Sequence, residues 1–289
     1  MLPLRSFTSN PSRFSAFSTL VGEGGLDVHF DLAYGAGPRH RLDVYRSGQD
    51  TGSGPVALFL YGGSWRGGSR SCYGFVGAAL AARGIPTAVA DYRLYPEVRW
   101  PDFQGDAALA FRWVRRELGG EGRRPAVVIG HSAGAHMAAL LALDRRWLGD
   151  ARPAALVGIS GPYAFQPTTW PTTAEIFATA TDADEPRPIA YAGIHAPPTL
   201  LLHGAQDDTV KPHNATDLAA ALRAAGVAVT LEMLEGADHK ALVTGFARPF
   251  RSRTPVLERA IAFLRDLDAA DGLLKPNRKS SIPLQVPSA

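Results

Sequence analysis

Ala126-Val127-Val128-Ile129-Gly130-His131-Ser132-Ala133-Gly134 is the stretch on which the fold turns, and it runs on without a break through Ala135 to Leu143. Ala126 to Gly130 is a short apolar run of strand length, and Ser132 to Leu143 has helical periodicity and is rich in Ala and Leu. Only the pattern Gly-x-Ser-x-Gly separates the two. A strand that passes into a helix so abruptly needs a turn too tight for side chains beside Ser132, which is what Gly130 and Gly134 supply. The pattern is that of a nucleophile elbow, whose strain lifts the serine hydroxyl clear of the sheet. At the helix N-terminus the amide of Ala133 then points to where an oxyanion would form.

Outward from this stretch, apolar runs alternate with amphipathic ones from about residue 28 to residue 268, the pattern of a sheet with crossover helices. Val28 to Tyr34 and Arg41 to Tyr45 read as an antiparallel pair joined by a turn at Gly35 to Pro38. Val56 to Tyr61, Thr87 to Asp91, Ala126 to Gly130, Ala155 to Ser160, Thr199 to His203 and Val229 to Leu234 read as further strands, several apolar on both faces as a buried parallel sheet requires. Helices are expected at Tyr73 to Arg83, Asp102 to Leu118, Ser132 to Leu143, Asn214 to Ala225 and Val256 to Leu267, with Gly84, Gly119 and Gly226 ending three of them. Residues 162–198 break the alternation, rich in Pro and Thr with a short helical stretch at Thr173 to Thr179, and read as a small cap on a single domain of residues 1–270. Residues 271–289 read as a loose tail.

A serine hydroxyl needs a base to take its proton and an acid to orient that base. Leu200 to His203 is an apolar strand followed by Gly204-Ala205-Gln206-Asp207, so Asp207 is the expected acid, with Asp208 its alternative. Glu235-Gly236-Ala237-Asp238-His239 follows the last strand and puts His239 in a loop as the expected base, completing the order Ser, Asp, His. His213 and His203 are the rivals: the first lies close to a helix start, the second reads as packed beneath the turn. His131 and His136 flank the elbow as structural or pocket-lining residues.

Tyr61-Gly62-Gly63-Ser64-Trp65 follows the strand that starts at Val56. The segment resembles the HGG-x-W loop of the hormone-sensitive-lipase-like and arylformamidase-like esterases of the α/β-hydrolase superfamily, with Tyr61 where those enzymes usually carry His. Asp91-Tyr92-Arg93-Leu94, Gly204 to Val210 and Gly236 to His239 extend the resemblance over roughly residues 28 to 268. It implies an α/β-hydrolase fold with a mostly parallel eight-stranded sheet, and an oxyanion hole made by the amides of Gly63, Ser64 and Ala133, with Gly62 allowing the bend. The Tyr61 departure leaves those amides intact and is expected to alter pocket polarity more than activity.

These readings lead to a serine hydrolase acting on small to medium carboxylic esters. An arylformamidase acting on N-formyl aromatic amines stands second, and a noncatalytic binder of a small hydrophobic ligand is the alternative of another class. Trp65, His131, Tyr163 and Trp170 are the expected substrate-binding residues, with Phe165 also near the mouth. No metal or organic cofactor is required. Among the 289 residues, 46% are hydrophobic and 20% charged, and the net charge of +3 comes from scattered Arg residues, so neither disorder nor nucleic-acid binding is expected. No run approaches the roughly 18 to 20 apolar residues of a membrane span. Cys72 is the only cysteine, which excludes an internal disulfide and suits a cytoplasmic location. Met1 to Leu20 has Arg and Ser but no acid, a composition shared by transit peptides and by a short docking helix at Phe14 to Val21. A homodimer is an admissible assembly.

Overall fold

Five strands are buried at every residue in the computed structural model, which describes residues 25–48, 50 and 52–274. They are β3 (Val56–Leu60), β4 (Thr87–Ala90), β5 (Ala126–His131), β6 (Leu156–Ile159) and β7 (Thr199–Gly204). A strand sealed on both faces needs helices above and below it, and this is why these runs are continuously apolar. With β1 (Leu26–Ala33), β2 (Arg41–Ser47) and β8 (Val229–Leu234) they form one eight-stranded sheet in the order β1-β2-β4-β3-β5-β6-β7-β8. β2 pairs antiparallel with both β1 and β4, and every pairing from β4 to β8 is parallel. The edge strands β1 and β8 are only partly buried. Near the middle of β1 the register shifts at a bulge, where Asp31 turns to positive φ and its amide donates to the Asp43 carboxylate.

The helices are α1 (Gly74–Ala81), α2 (Asp102–Glu117), α3 (Ala133–Leu143), α4 (Arg145–Leu148), α5 (His213–Ala224), α6 (His239–Thr244) and α7 (Val256–Leu274). Helix α1 packs on β2 and β4 and meets α7, whereas α2 and α3 pack on β3 and β5 and meet each other. In α2 the residues Phe103, Ala107, Ala110, Phe111 and Val114 face inward, as an i, i+4, i+7 apolar stripe requires. All of α3 is buried, in keeping with a helix that is small and apolar on every side.

Three expectations change. Residues 173–179 form isolated turns instead of a helix: the Trp170 carbonyl accepts from Thr173 and Ala174, while the Thr173 hydroxyl bonds the Pro167 carbonyl and so competes with a helical ladder. His239 lies in no loop but opens the short helix α6, because the Asp238 carboxylate caps the amides of Lys240 and Ala241. Helix α7 continues to Leu274, into the segment expected to be a tail. Residues 275–289, the targeting-like segment and the helix expected at Phe14 to Val21 lie outside the described residues. No helix among the described residues is long and apolar enough to cross a membrane.

The excursion of residues 162–198 joins β6 to β7 and holds one 3-10 turn, Pro188–Tyr191. It is fastened from below. The Asn214 side chain accepts from the amides of Ala164 and Phe165 at 3.0 Å each, and His136 Nε2 donates to the Pro186 carbonyl.

Candidate active site

Ser132 joins β5 to α3 with φ 55° and ψ −123°, a conformation that costs an L-residue on the order of 1–3 kcal/mol and persists only when its surroundings impose it. The imposing contacts are short. A Cβ on Gly130 would lie 2.3 Å from the Gly134 carbonyl oxygen, and one on Gly134 would lie 2.0 Å from that of Leu60. Neither glycine has positive φ, so space and not backbone freedom selects them. The Ser132 amide donates to Ile159 of β6, which holds the elbow against the neighbouring strand.

Asp207 follows β7 and His239 follows β8, so the parallel order carries both to the same edge as the elbow. His239 Nδ1 donates to Asp207 Oδ2 at 2.8 Å, and its Nε2 lies 3.0 Å from Ser132 Oγ. The amides of Thr209 and Val210 hold the other oxygen of Asp207. Burial pushes the Asp207 carboxyl up, but the bonds from His239 and Val210 outweigh it and hold the group below the ordinary carboxylate range. With Asp207 ionised, the proton stays on Nδ1 and leaves Nε2 free to accept from the hydroxyl. Asp208 is exposed and bonds Lys211. His203 is buried below, donating to the Val210 carbonyl, and His213 stands exposed on α5.

The loop after β3 passes directly over the elbow, since a Cβ on Gly62 would lie 2.8 Å from Ser132 Cβ. Gly63, Ser64 and Trp65 all have positive φ, at 140°, 52° and 56°. Among the described residues, the amides of Gly63, Ser64 and Ala133 make no hydrogen bond. Three amides without partners thus lie on the two segments that meet at Ser132, one of them at the positive end of α3.

Tyr61 does not alter pocket polarity as expected, because its side chain is fully buried away from the cavity. Its ring stacks on those of Tyr73 and Tyr92, and its hydroxyl donates to Asp91 Oδ1 at 2.8 Å while accepting from Arg39 at 2.9 Å. Burial first, then the Asp91 charge, push the phenol up, so it stays a donor.

A cavity of about 400 Å³ opens beside Ser132, walled among others by Trp65, Phe165, Trp170, Thr209, Lys211 and His213. Trp65 and Trp170 therefore stand where the sequence places them, while His131 and Tyr163 do not. His131 is buried behind the base and donates through Nε2 to the His239 carbonyl at 3.2 Å. Burial, then the neighbouring His239, push its ring down to about 3. Tyr163 is packed under β6, where its ring and hydroxyl fill the room left by Gly158 and Gly161. Lys211, Thr209 and Gln166 are pocket residues that sequence reading missed. Thr209 lies within the Gly204 to Val210 stretch that carries the resemblance, whereas Lys211 and Gln166 lie beyond every motif.

A sheet of this order, with a serine elbow after β5, an acid after β7 and a histidine after β8, defines the α/β-hydrolase class. The chain belongs to the alpha/beta hydrolase fold family, whose model matches residues 57–243. It is 32% identical over 265 residues to the esterase LipC of Mycobacterium tuberculosis, covering 80% of this chain and 63% of that protein. It is 27% identical over 289 residues to the isoprenylcysteine alpha-carbonyl methylesterase ICME of Arabidopsis thaliana, covering 89% and 67%. The chain thus spans about two thirds of the length of these curated relatives. Among solved structures, its fold is similar to that of esterase B from Lactobacillus rhamnosis inhibited by a tributyrin phosphonate, with a TM-score of 0.74, 18% identity and coverage of 91% and 93%. It is also similar to esterase 2 of Thermogutta terrifontis, with a TM-score of 0.68, 24% identity and coverage of 85% and 96%.

Proposed function

We propose that the protein is a serine carboxylesterase that cleaves small to medium esters through an acyl-enzyme. The observation that carries this reading is the unbroken relay from Asp207 through His239 to Ser132 Oγ, with links of 2.8 and 3.0 Å. In the first half-reaction, Ser132 Oγ attacks the acyl carbon as its proton passes to His239 Nε2. Asp207 steadies the imidazolium, and the amides of Gly63, Ser64 and Ala133 take up the oxyanion. Collapse breaks the ester C–O bond, and the alcohol leaves with the proton from His239. Water, deprotonated by the same nitrogen, then attacks the acyl-enzyme and releases the carboxylic acid.

A noncatalytic binder has no use for a strained serine set on such a relay. The names of the curated relatives refer to ester hydrolysis, which favours an ester over an N-formyl aromatic amine. Among the described residues the cavity lining is mostly apolar or uncharged, and its one cation, Lys211, is bonded to Asp208, so neutral esters suit it best. Hydrolysis of p-nitrophenyl butyrate, with an N-formyl aromatic amine in parallel, tests the reading. Turnover of the ester should fall by about a thousandfold or more in Ser132→Ala. Undiminished turnover in that variant, or a preference for the formamide, would sink it.

A further inference from the structure

The oxyanion loop carries more strain than its own contacts explain. Ser64 and Trp65 hold left-handed backbone that L-residues adopt only at a cost, and Gly63 precedes them at φ 140°. Within the loop, the Gly63 carbonyl accepts from the amides of Arg66 and Gly67, and Trp65 is sunk against Phe103 and Phe177. These contacts hold its middle. From outside, the Tyr95 amide donates to the Trp65 carbonyl at 2.8 Å, and one side chain, Arg39 in the turn just before β2, reaches both ends of the loop. Arg39 Nη2 donates both to the Tyr61 hydroxyl at 2.9 Å, where the loop begins, and to the Gly68 carbonyl at 3.0 Å, where it ends. Its Nε donates to the Tyr92 carbonyl at 2.8 Å, so the guanidinium is itself anchored.

Tyr61 is the post to which this clamp is tied. Its ring lies between Tyr73 and Tyr92, its hydroxyl bonds Asp91, and the backbone of Gly68 passes so close that a Cβ there would lie 2.5 Å from the ring. Tyr92 closes the circuit by donating to the Tyr61 carbonyl. A histidine at position 61, the residue usual in the resembling esterases, has a shorter ring and no hydroxyl that could accept from Arg39 while donating to Asp91. Tyrosine and arginine thus work as a pair.

We propose that Arg39 is a positioning residue for ester hydrolysis: with Tyr61 it clamps both ends of residues 61–68 and fixes where the Gly63 and Ser64 amides point. The proposal rests on the carboxylesterase reading above. Oxyanion donors bond the transition state more strongly than the bound ester, so losing the clamp should act on kcat and spare KM.

The test uses the full chain carrying Arg39→Ala, Arg39→Lys or Tyr61→Phe. It measures p-nitrophenyl butyrate hydrolysis, thermal unfolding, and affinity for butylboronic acid, whose tetrahedral serine adduct sets an oxygen where the oxyanion forms. In Arg39→Ala, kcat should fall on the order of 10- to 100-fold with KM within about twofold, and boronate affinity should fall in step. Tyr61→Phe should show the same pattern more weakly, and added guanidinium ion should restore part of kcat to Arg39→Ala. Unchanged kcat and boronate affinity in the folded variants would overturn the proposal, as would a loss confined to KM. If Arg39→Ala does not fold, Arg39→Lys and Tyr61→Phe decide by the same two readouts. A wild-type chain without Ser132-dependent turnover overturns the esterase reading and the clamp with it, and that result is distinct from active wild type with indifferent variants.

Discussion

Asp207 and Asp208 adjoin in the chain, yet one is sealed against His239 and the other stands in water bonded to Lys211. Replacing each by asparagine separates their roles. An amide at 207 can donate to Nδ1, which drives the imidazole proton to Nε2 and leaves nothing to accept from Ser132. We therefore expect Asp207→Asn to lower kcat by roughly 10³- to 10⁴-fold, and Asp208→Asn to leave it within about twofold. Comparable losses in both variants would contradict the relay. Asp207 and not Asp208 ends the turn after β7, where the amides of Thr209 and Val210 close over its carboxylate.

Among elements, the excursion between β6 and β7 depends on α5. Asn214, buried at the start of that helix, accepts from the amides of Ala164 and Phe165 and donates to the Lys211 carbonyl. Asn214→Ala would leave two backbone donors short of partners next to the cavity wall. The expected result is a loss of about 1–3 kcal/mol in urea unfolding and a raised KM for p-nitrophenyl butyrate, with kcat little changed. An unaltered KM would show that the excursion does not shape the cavity. How far elements could be read from sequence follows the range of the forces that make them. β3 to β7 and the long helices were legible because burial on two faces, or on one stripe, writes a period into the residues. The elbow was legible because steric exclusion at Gly130 and Gly134 is local. Helix α6 was not, since a single capping carboxylate, Asp238, decides it. Tyr163 and His131 were misplaced for a related reason. An aromatic ring suits a pocket wall and a gap beneath a glycine strand equally well, and only the sheet register tells which is present.

Across the molecule, two neutral histidines make stability depend on pH. Burial, partly offset by the bond to the Pro186 carbonyl, pushes His136 down to about 4, and His131 lies lower still, at about 3. In the unfolded chain both take up protons below about pH 6.5, while the folded chain does not until its own lowered values are reached. The contribution of these two rings is thus complete above about pH 6.5 and falls with acidification, by about 1.4 kcal/mol per pH unit for each once the unfolded rings are charged. Buried His203 is also pushed down and adds to the same trend. Asp207, held low, contributes nothing to this window because its stabilisation is lost only below the ordinary carboxylate value. Urea titrations at pH 7, 6 and 5 should show the decline, and His136→Gln should make it shallower; a flat wild-type profile would refute the account. The tryptophans divide by place as well. Trp65, Trp100 and Trp113 are buried and Trp147 is half-buried, whereas Trp170 is 57% exposed on the cavity wall. Of the two tryptophans on the cavity wall only this one also faces solvent, so a guest that covers its indole shifts the colour of its emission and gives an optical gauge of occupancy that needs no label.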